Sequence, residues 1–190
     1  MLSTYIQTRT TNPTLIRILA ALGFAALTAL SARLTIPLDP VPFTFQVLAV
    51  LLAGLVLGAK YGAASQLTYL GAISVGLPLD ANGLGSAVWA SPTAGYLVGF
   101  VAAAFVAGWL AEKGLQRSRL LRFIAGLAGV VVIYLIGATW LTFGLFDGDW
   151  TKGWTFGIAP FIIFDLVKAV IAAVLAEGLR AGLLRAGGEV

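Results

Sequence analysis

Apolar residues dominate the chain in long runs, each cut by a short stretch of charges, prolines or glycines. About 20 consecutive apolar residues are what an α-helix needs to cross a ~30 Å hydrocarbon core. The first run predicts a helix over residues 14–34, opened by Asn12-Pro13-Thr14 and carrying Arg17 near one end. Within it Ala21, Ala25 and Ala29 recur at every fourth place, a spacing of small residues that lets two helices approach closely in lipid. Such a ladder serves either packing within the chain or a face for another subunit. Three prolines (Pro37, Pro40, Pro42) then enforce a stiff extended loop. Residues 43–77 follow with Lys60 as their only charge. One helix of that length would measure roughly 50 Å, too long for a bilayer core. The tight-turn sequence Gly58-Ala59-Lys60-Tyr61-Gly62 therefore predicts two helices, over residues 43–57 and 61–75. Residues 76–92, rich in Gly, Pro, Asn and Ser, form the one long loop, of a size that is more often functional than idle. Further helices are predicted over residues 93–111, 123–145 and 156–178, separated by a basic turn (residues 112–122) and a polar loop around Asp147 and Asp149. Trp140, Trp150 and Trp154 flank that loop as an interfacial aromatic belt.

The pattern predicts an all-α integral membrane protein: six transmembrane helices in one bundle, a single membrane domain of 190 residues. Composition agrees, with 59% hydrophobic and 11% charged residues, where soluble domains average about 25% charged. The polar first dozen residues, followed by a full-length span, predict no cleavable signal peptide. Cysteine and histidine are absent, which removes thiol chemistry, disulfides, histidine metal sites and the usual general base. No G-x-x-x-x-G-K-[ST] phosphate loop is present, so the chain has no means of its own to hydrolyse ATP. The net charge of +4 comes from residues spread over loops and is no nucleic-acid signal.

Six crossings put both termini on one side. Arg9, Arg17, Lys60, Lys113, Arg117, Arg119, Arg122, Arg180 and Arg185 then fall on the terminal side, and only Arg33 and Lys152 on the other. Nine against two predicts cytoplasmic termini by the positive-inside rule. The last helix holds the most informative pair. Asp165 and Lys168 stand three apart in an otherwise uncharged run, so they share a helix face. Each alone at a bilayer centre costs on the order of 3 kcal/mol, and pairing seldom makes burial a net gain. They serve either as a structural ion pair or as a site for a polar ligand or a proton. Gln46, at the outer start of the second helix, falls at a similar depth, beneath the Pro-rich and Gly/Asn-rich loops. Spacing and topology together predict a pocket open to the outside.

Five stretches carry a resemblance: Ile36 to Pro42; Phe43-Thr44-Phe45-Gln46 with the run to Gly54; Tyr69-Leu70-Gly71-Ala72 with Gly76-Leu77-Pro78; Ser91-Pro92-Thr93-Ala94-Gly95-Tyr96 with the run to Phe100; and Asp165-Leu166-Val167-Lys168-Ala169. In order and spacing the chain resembles the BioY family, the membrane-embedded biotin-binding S components of energy-coupling-factor (ECF) vitamin transporters. The resemblance implies a protein of a prokaryotic cell membrane that captures biotin from outside, with no cofactor and no enzymatic activity. It implies a transmembrane coupling protein and ATPase subunits as partners. By matching position it implies Gln46, Asn82, Asp165 and Lys168 as ligand contacts, with Thr44 and Tyr96 beside them, and Ala21, Ala25 and Ala29 as the docking face. Phe43 and Trp89 are candidate ring contacts. The chain departs from the family at Ala94, where a glycine is more usual, and at Tyr96, where some members carry an arginine. The resemblance leaves open an S component for another small vitamin; the residues alone also leave a proton-coupled carrier using Asp165 and, poorly supplied with chemical groups, a membrane enzyme.

Overall fold

The computed structural model describes residues 12–185; the polar amino-terminal stretch read above, with Arg9, lies outside them except for Asn12. Helix α1, Pro13–Arg33, begins with Pro13 in its first turn, and the Asn12 side chain accepts from Thr14 N at 3.0 Å. That arrangement satisfies one of the amides a helix start leaves without a partner. The Pro-rich loop proves to be a small ribbon. Strands β1 (Thr35–Ile36) and β2 (Phe43–Thr44) pair antiparallel, Thr35 opposite Thr44 and Ile36 opposite Phe43, with a cis Asp39–Pro40 bond between them.

Helix α2, Gln46–Ser74, is one run in hydrogen bonding but not in space. Gly58 takes φ 79°, ψ −177°, a conformation that L side chains rarely adopt, and the chain reverses there. Two contacts prove the reversal. A Cβ on Gly62 would lie 2.8 Å from Gly54 Cα, and Gln46 reaches Tyr69. In a straight helix residues 46 and 69 would be roughly 34 Å apart. The chain therefore folds back at Gly58 into two arms, the first starting at Gln46. Glu112, from the turn after α3, accepts from Ala59 N at 2.9 Å and so caps the second arm.

Helix α3 (Ala94–Leu110) packs most extensively on α2 and runs into a wide turn at Ala111–Leu115. Small residues permit the approach: a Cβ on Gly54 or Gly108 would collide with the backbone of Ala104 or Gly58. Helix α4, Arg119–Leu145, starts earlier than hydropathy indicates, because Ser118 caps it and Arg122 is not a loop charge. The Arg122 guanidinium is buried, donating to Ala173 O (2.9 Å), Gln116 O (2.7 Å) and Glu177 Oε2 (2.8 Å). The last predicted helix is replaced by two. Helix α5 (Trp150–Gly157) is capped by Asp149, which accepts from Thr151 N and Lys152 N. These backbone N–H groups hold its carboxyl below the usual range, that of Lys152 foremost. Helix α6 (Ile162–Arg185) follows after a break with a 51° bend. Pro160, which has no N–H to continue the ladder, sits inside the break.

Among the described residues four helices are long and apolar enough to cross a membrane, or five if the bent α5–α6 pair counts as one span. Their outer faces are apolar. Leu15, Leu19, Leu22 and Leu30 on α1, Leu135 and Phe143 on α4, and Ile163, Val167 and Val174 on α6 are all exposed. So many exposed large apolar residues are tolerable only in contact with lipid or another protein.

Candidate functional site

The ribbon, the loop after α2 and the first turns of α3 and α6 meet at one end of the bundle around a cavity. The space measures about 580 Å³ counting its open mouth. Polar lining comes from Thr44, Gln46, Asp80, Thr93, Tyr96, Tyr134, Asp165 and Lys168, and apolar lining from Val41, Leu97, Phe100, Ile133 and Phe161 among others.

Asp165 and Lys168 are 3% and 4% exposed. One helical turn apart, they form an ion pair, Nζ to Oδ1 at 2.8 Å. Lys168 Nζ also donates to Thr44 O at 2.7 Å, a carbonyl that the ribbon turns inward, and lies 4.0 Å from the centre of the Phe43 ring. Phe43 is itself braced edge-on by Phe164. The ammonium thus has a carboxylate, a carbonyl and an aromatic face, with one of its three donors left over. The second carboxylate oxygen, Oδ2, accepts from Tyr134 OH at 2.7 Å. Each carboxylate oxygen holds one donor and has room for another. Together these contacts compensate two charges that would otherwise be too costly to bury.

Gln46, 3% exposed, is held on both edges of its amide. Thr44 Oγ1 donates to Oε1 at 3.2 Å and accepts from the Gln46 backbone N–H, while Nε2 donates to Tyr69 OH at 2.7 Å. One N–H and one lone pair of the amide remain free to serve a ligand. Tyr96 lines the wall with its ring, but its hydroxyl is committed, donating to Gly157 O at 2.8 Å at the end of α5.

Four of the six expected contacts, Gln46, Thr44, Asp165 and Lys168, are therefore brought into one hydrogen-bonded cluster, and Tyr96 lies in the same wall. Asn82 is not brought there. It is exposed, and its neighbours Asp80 and Ala81 line the cavity in its place. Asp80 is buried, accepting from Gly85 N at 2.8 Å and Asn82 N at 3.1 Å, so it shapes the loop as well as the wall. Phe43 is present as the bed of Lys168; Trp89 lies away from the cavity and donates to Ser74 Oγ. Sequence reasoning missed Tyr134, whose only signal is a hydroxyl in an apolar helix. The alanine ladder turns inward: Ala21 and Ala25 are buried within the chain and Ala29 is half-buried against the core, as packing within the chain requires.

A sequence model of the BioY family matches residues 6–185, nearly the whole chain. The chain belongs to the BioY family. A relative named biotin transporter BioY from Thermotoga maritima is 44% identical over 158 residues, covering 83% of this chain and 91% of the relative. One of the same name from Rhizobium etli is 40% identical over 175 residues, covering 87% and 92%. Among solved structures, the S component for biotin from an ECF-type ABC transporter superposes with a TM-score of 0.81 at 28% identity, over 90% of this chain and 94% of that one. With its apolar outer faces, this BioY-family chain is a membrane protein of the S-component fold.

Proposed function

We propose that this chain is the biotin-binding S component of an ECF-type vitamin transporter in a prokaryotic plasma membrane. The observation that carries the reading is the buried cluster of Thr44, Gln46, Asp165 and Lys168 on the wall of a cavity, in a BioY-family chain. Biotin has a ureido group with two N–H donors and one carbonyl, an apolar fused ring, and a carboxylate tail. The free acceptor sites of Asp165 suit the ureido N–H groups. The remaining donors of Lys168 and Gln46 suit the ureido carbonyl. Val41, Leu97, Phe100 and Phe161 suit the ring. The exposed Asn82, next in sequence to the lining residue Ala81, suits the tail.

Counting the two arms of α2 separately and the bent α5–α6 pair once gives six crossings in a single membrane domain. The terminal side then carries the basic residues, which makes it cytoplasmic and turns the cavity outward. Because the chain has no phosphate loop, release inward is driven by a membrane coupling protein with its ATPases. The docking helix is α1. Its exposed small positions, Gly23 and Ala26, carry the contact in place of the inward-facing Ala21 and Ala25.

The decisive experiment is to purify the protein without added ligand, identify co-purifying small molecules by mass spectrometry, and titrate biotin and other water-soluble vitamins by calorimetry. Biotin recovered and bound most tightly is the expected result; tight binding of a different vitamin, with none of biotin, would overturn the reading.

A further inference from the structure

The charged pair is not an isolated feature. Two strings of hydrogen bonds meet at Thr44: one runs from Tyr134 through Asp165 and Lys168 to the Thr44 carbonyl, the other from the Thr44 hydroxyl through the Gln46 amide to Tyr69 OH, ending where Tyr69 donates to Leu79 O at 3.2 Å. Leu79 directly precedes Asp80 and Ala81, the two loop residues that line the cavity. Through Thr44 the two strings link the buried pair to the loop that lines the cavity. Tyr69 is the junction. It is 1% exposed, it is absent from the cavity wall, and it is reached only because the chain reverses at Gly58 and sets position 69 opposite position 46.

We propose that Tyr69 is a positioning residue for the ligand: its hydroxyl fixes which edge of the Gln46 amide meets each neighbour and ties that amide to the loop at residues 79–85. The proton count dictates the orientation. A phenol has one proton to give, and here it goes to Leu79 O. The group facing Tyr69 from Gln46 must then be a donor, so Nε2 points to Tyr69 and Oε1 to the Thr44 hydroxyl. With the amide reversed, the single phenol proton would face two acceptors, and Thr44 Oγ1 would lose the acceptor for its own proton. A ligand carbonyl or N–H meeting Gln46 therefore finds a donor and an acceptor at fixed places. Without the Tyr69 hydroxyl the amide can turn over, and the loop loses one of its ties to the bundle.

This inference rests on biotin as the ligand, and the test separates the two. Biotin affinity is measured by calorimetry for the wild type, Y69F, Q46A and the double variant. Y69F is expected to weaken binding about tenfold, whereas adding Y69F to Q46A changes it less than about twofold, because nothing is left to position. Equal fold-losses from Y69F in both backgrounds, or no loss in either, overturn the positioning role. A wild type that does not bind biotin, or a Q46A that binds it unchanged, overturns the assignment of the ligand or of Gln46 instead. Should Y69F not fold, amide hydrogen exchange supplies the reading: saturating biotin is expected to slow exchange at residues 79–85 in the wild type, and Q46A to remove that slowing. Slowing of equal size in Q46A would overturn the link between the amide and the loop.

Discussion

The hydroxyl of Tyr134 on α4 donates to Asp165 Oδ2 on α6 at 2.7 Å, while Lys168 occupies the other oxygen of the same carboxylate. Two helices thus share one buried charge, and the orientation of the carboxylate is set by both. If Asp165 accepts from ureido N–H groups, Asp165→Asn removes a charge-assisted bond worth about 1.5–3 kcal/mol and weakens biotin binding at least about tenfold. Tyr134→Phe leaves the charge but frees the carboxylate to rotate. A smaller loss of about three- to tenfold is expected. Calorimetry showing either variant at wild-type affinity would remove that residue from the site.

Stability and binding should separate at the ion pair. Lys168→Met leaves the Asp165 charge buried with Tyr134 as its only remaining side-chain partner among the described residues, and costs about 3–5 kcal/mol of stability. Replacing both residues, Asp165→Leu with Lys168→Met, removes the uncompensated charge and is expected to recover most of that loss. Neither variant should bind biotin. Thermal unfolding in detergent tests the ordering; a single variant as stable as the double one would contradict it.

Gly108 marks the closest approach of α3 to the reversal at Gly58. A methyl group there would overlap the Gly58 carbonyl carbon and Ala59 N, which are main-chain atoms with nowhere to go. Gly108→Ala should therefore destabilise the protein by about 1–3 kcal/mol. Gly23 on α1 has open space around its Cα, and Gly23→Ala should be neutral or slightly stabilising through helix propensity. Unfolding midpoints that do not separate the two variants would argue against this packing.

Assembly should depend on the outward side of α1. Ala26→Trp places a large ring on an exposed position. It is expected to leave biotin binding by the isolated chain intact while preventing co-purification with the coupling protein. Ala25→Trp is expected to disturb the packing of α1 on α2 as well, because Ala25 is buried in the chain. Undiminished co-purification of the Ala26 variant would move the docking surface to another helix.

What could be read from the sequence follows the strength of each physical signal. Asp165 and Lys168 were legible because charge in an apolar run has few explanations, and their spacing fixes a common face. The reversal in α2 was legible because 35 residues with a single charge exceed a bilayer as one helix and a glycine pair marks the turn. Tyr134 and Tyr69 were not, because a tyrosine in an apolar helix is indistinguishable from lipid-facing or core aromatics until its hydroxyl partner is located. Asn82 rests on the resemblance alone, because no periodicity in a turn-rich loop sets which side chain turns inward. The α5–α6 break hid behind Pro160, which reads equally as a helix start or as a kink. Hydropathy likewise misplaced Arg122, whose charge is absorbed by Glu177 and two carbonyls of the folded chain.

The break between α5 and α6 has an electrostatic consequence for the site. A helix running unbroken from residue 150 to residue 185 would place Asp165 in mid-span, far from either end. Because a new helix begins at Ile162, Asp165 falls in its first turn instead. There the aligned peptide dipoles of α6 present roughly half a positive charge, a field that favours a carboxylate by about 0.3–1 kcal/mol and up to about 2 where solvent is excluded. The main chain thus supplies part of the counter-charge for Asp165. That leaves the ammonium of Lys168 less fully committed to its partner, and better able to turn a proton toward whatever occupies the cavity.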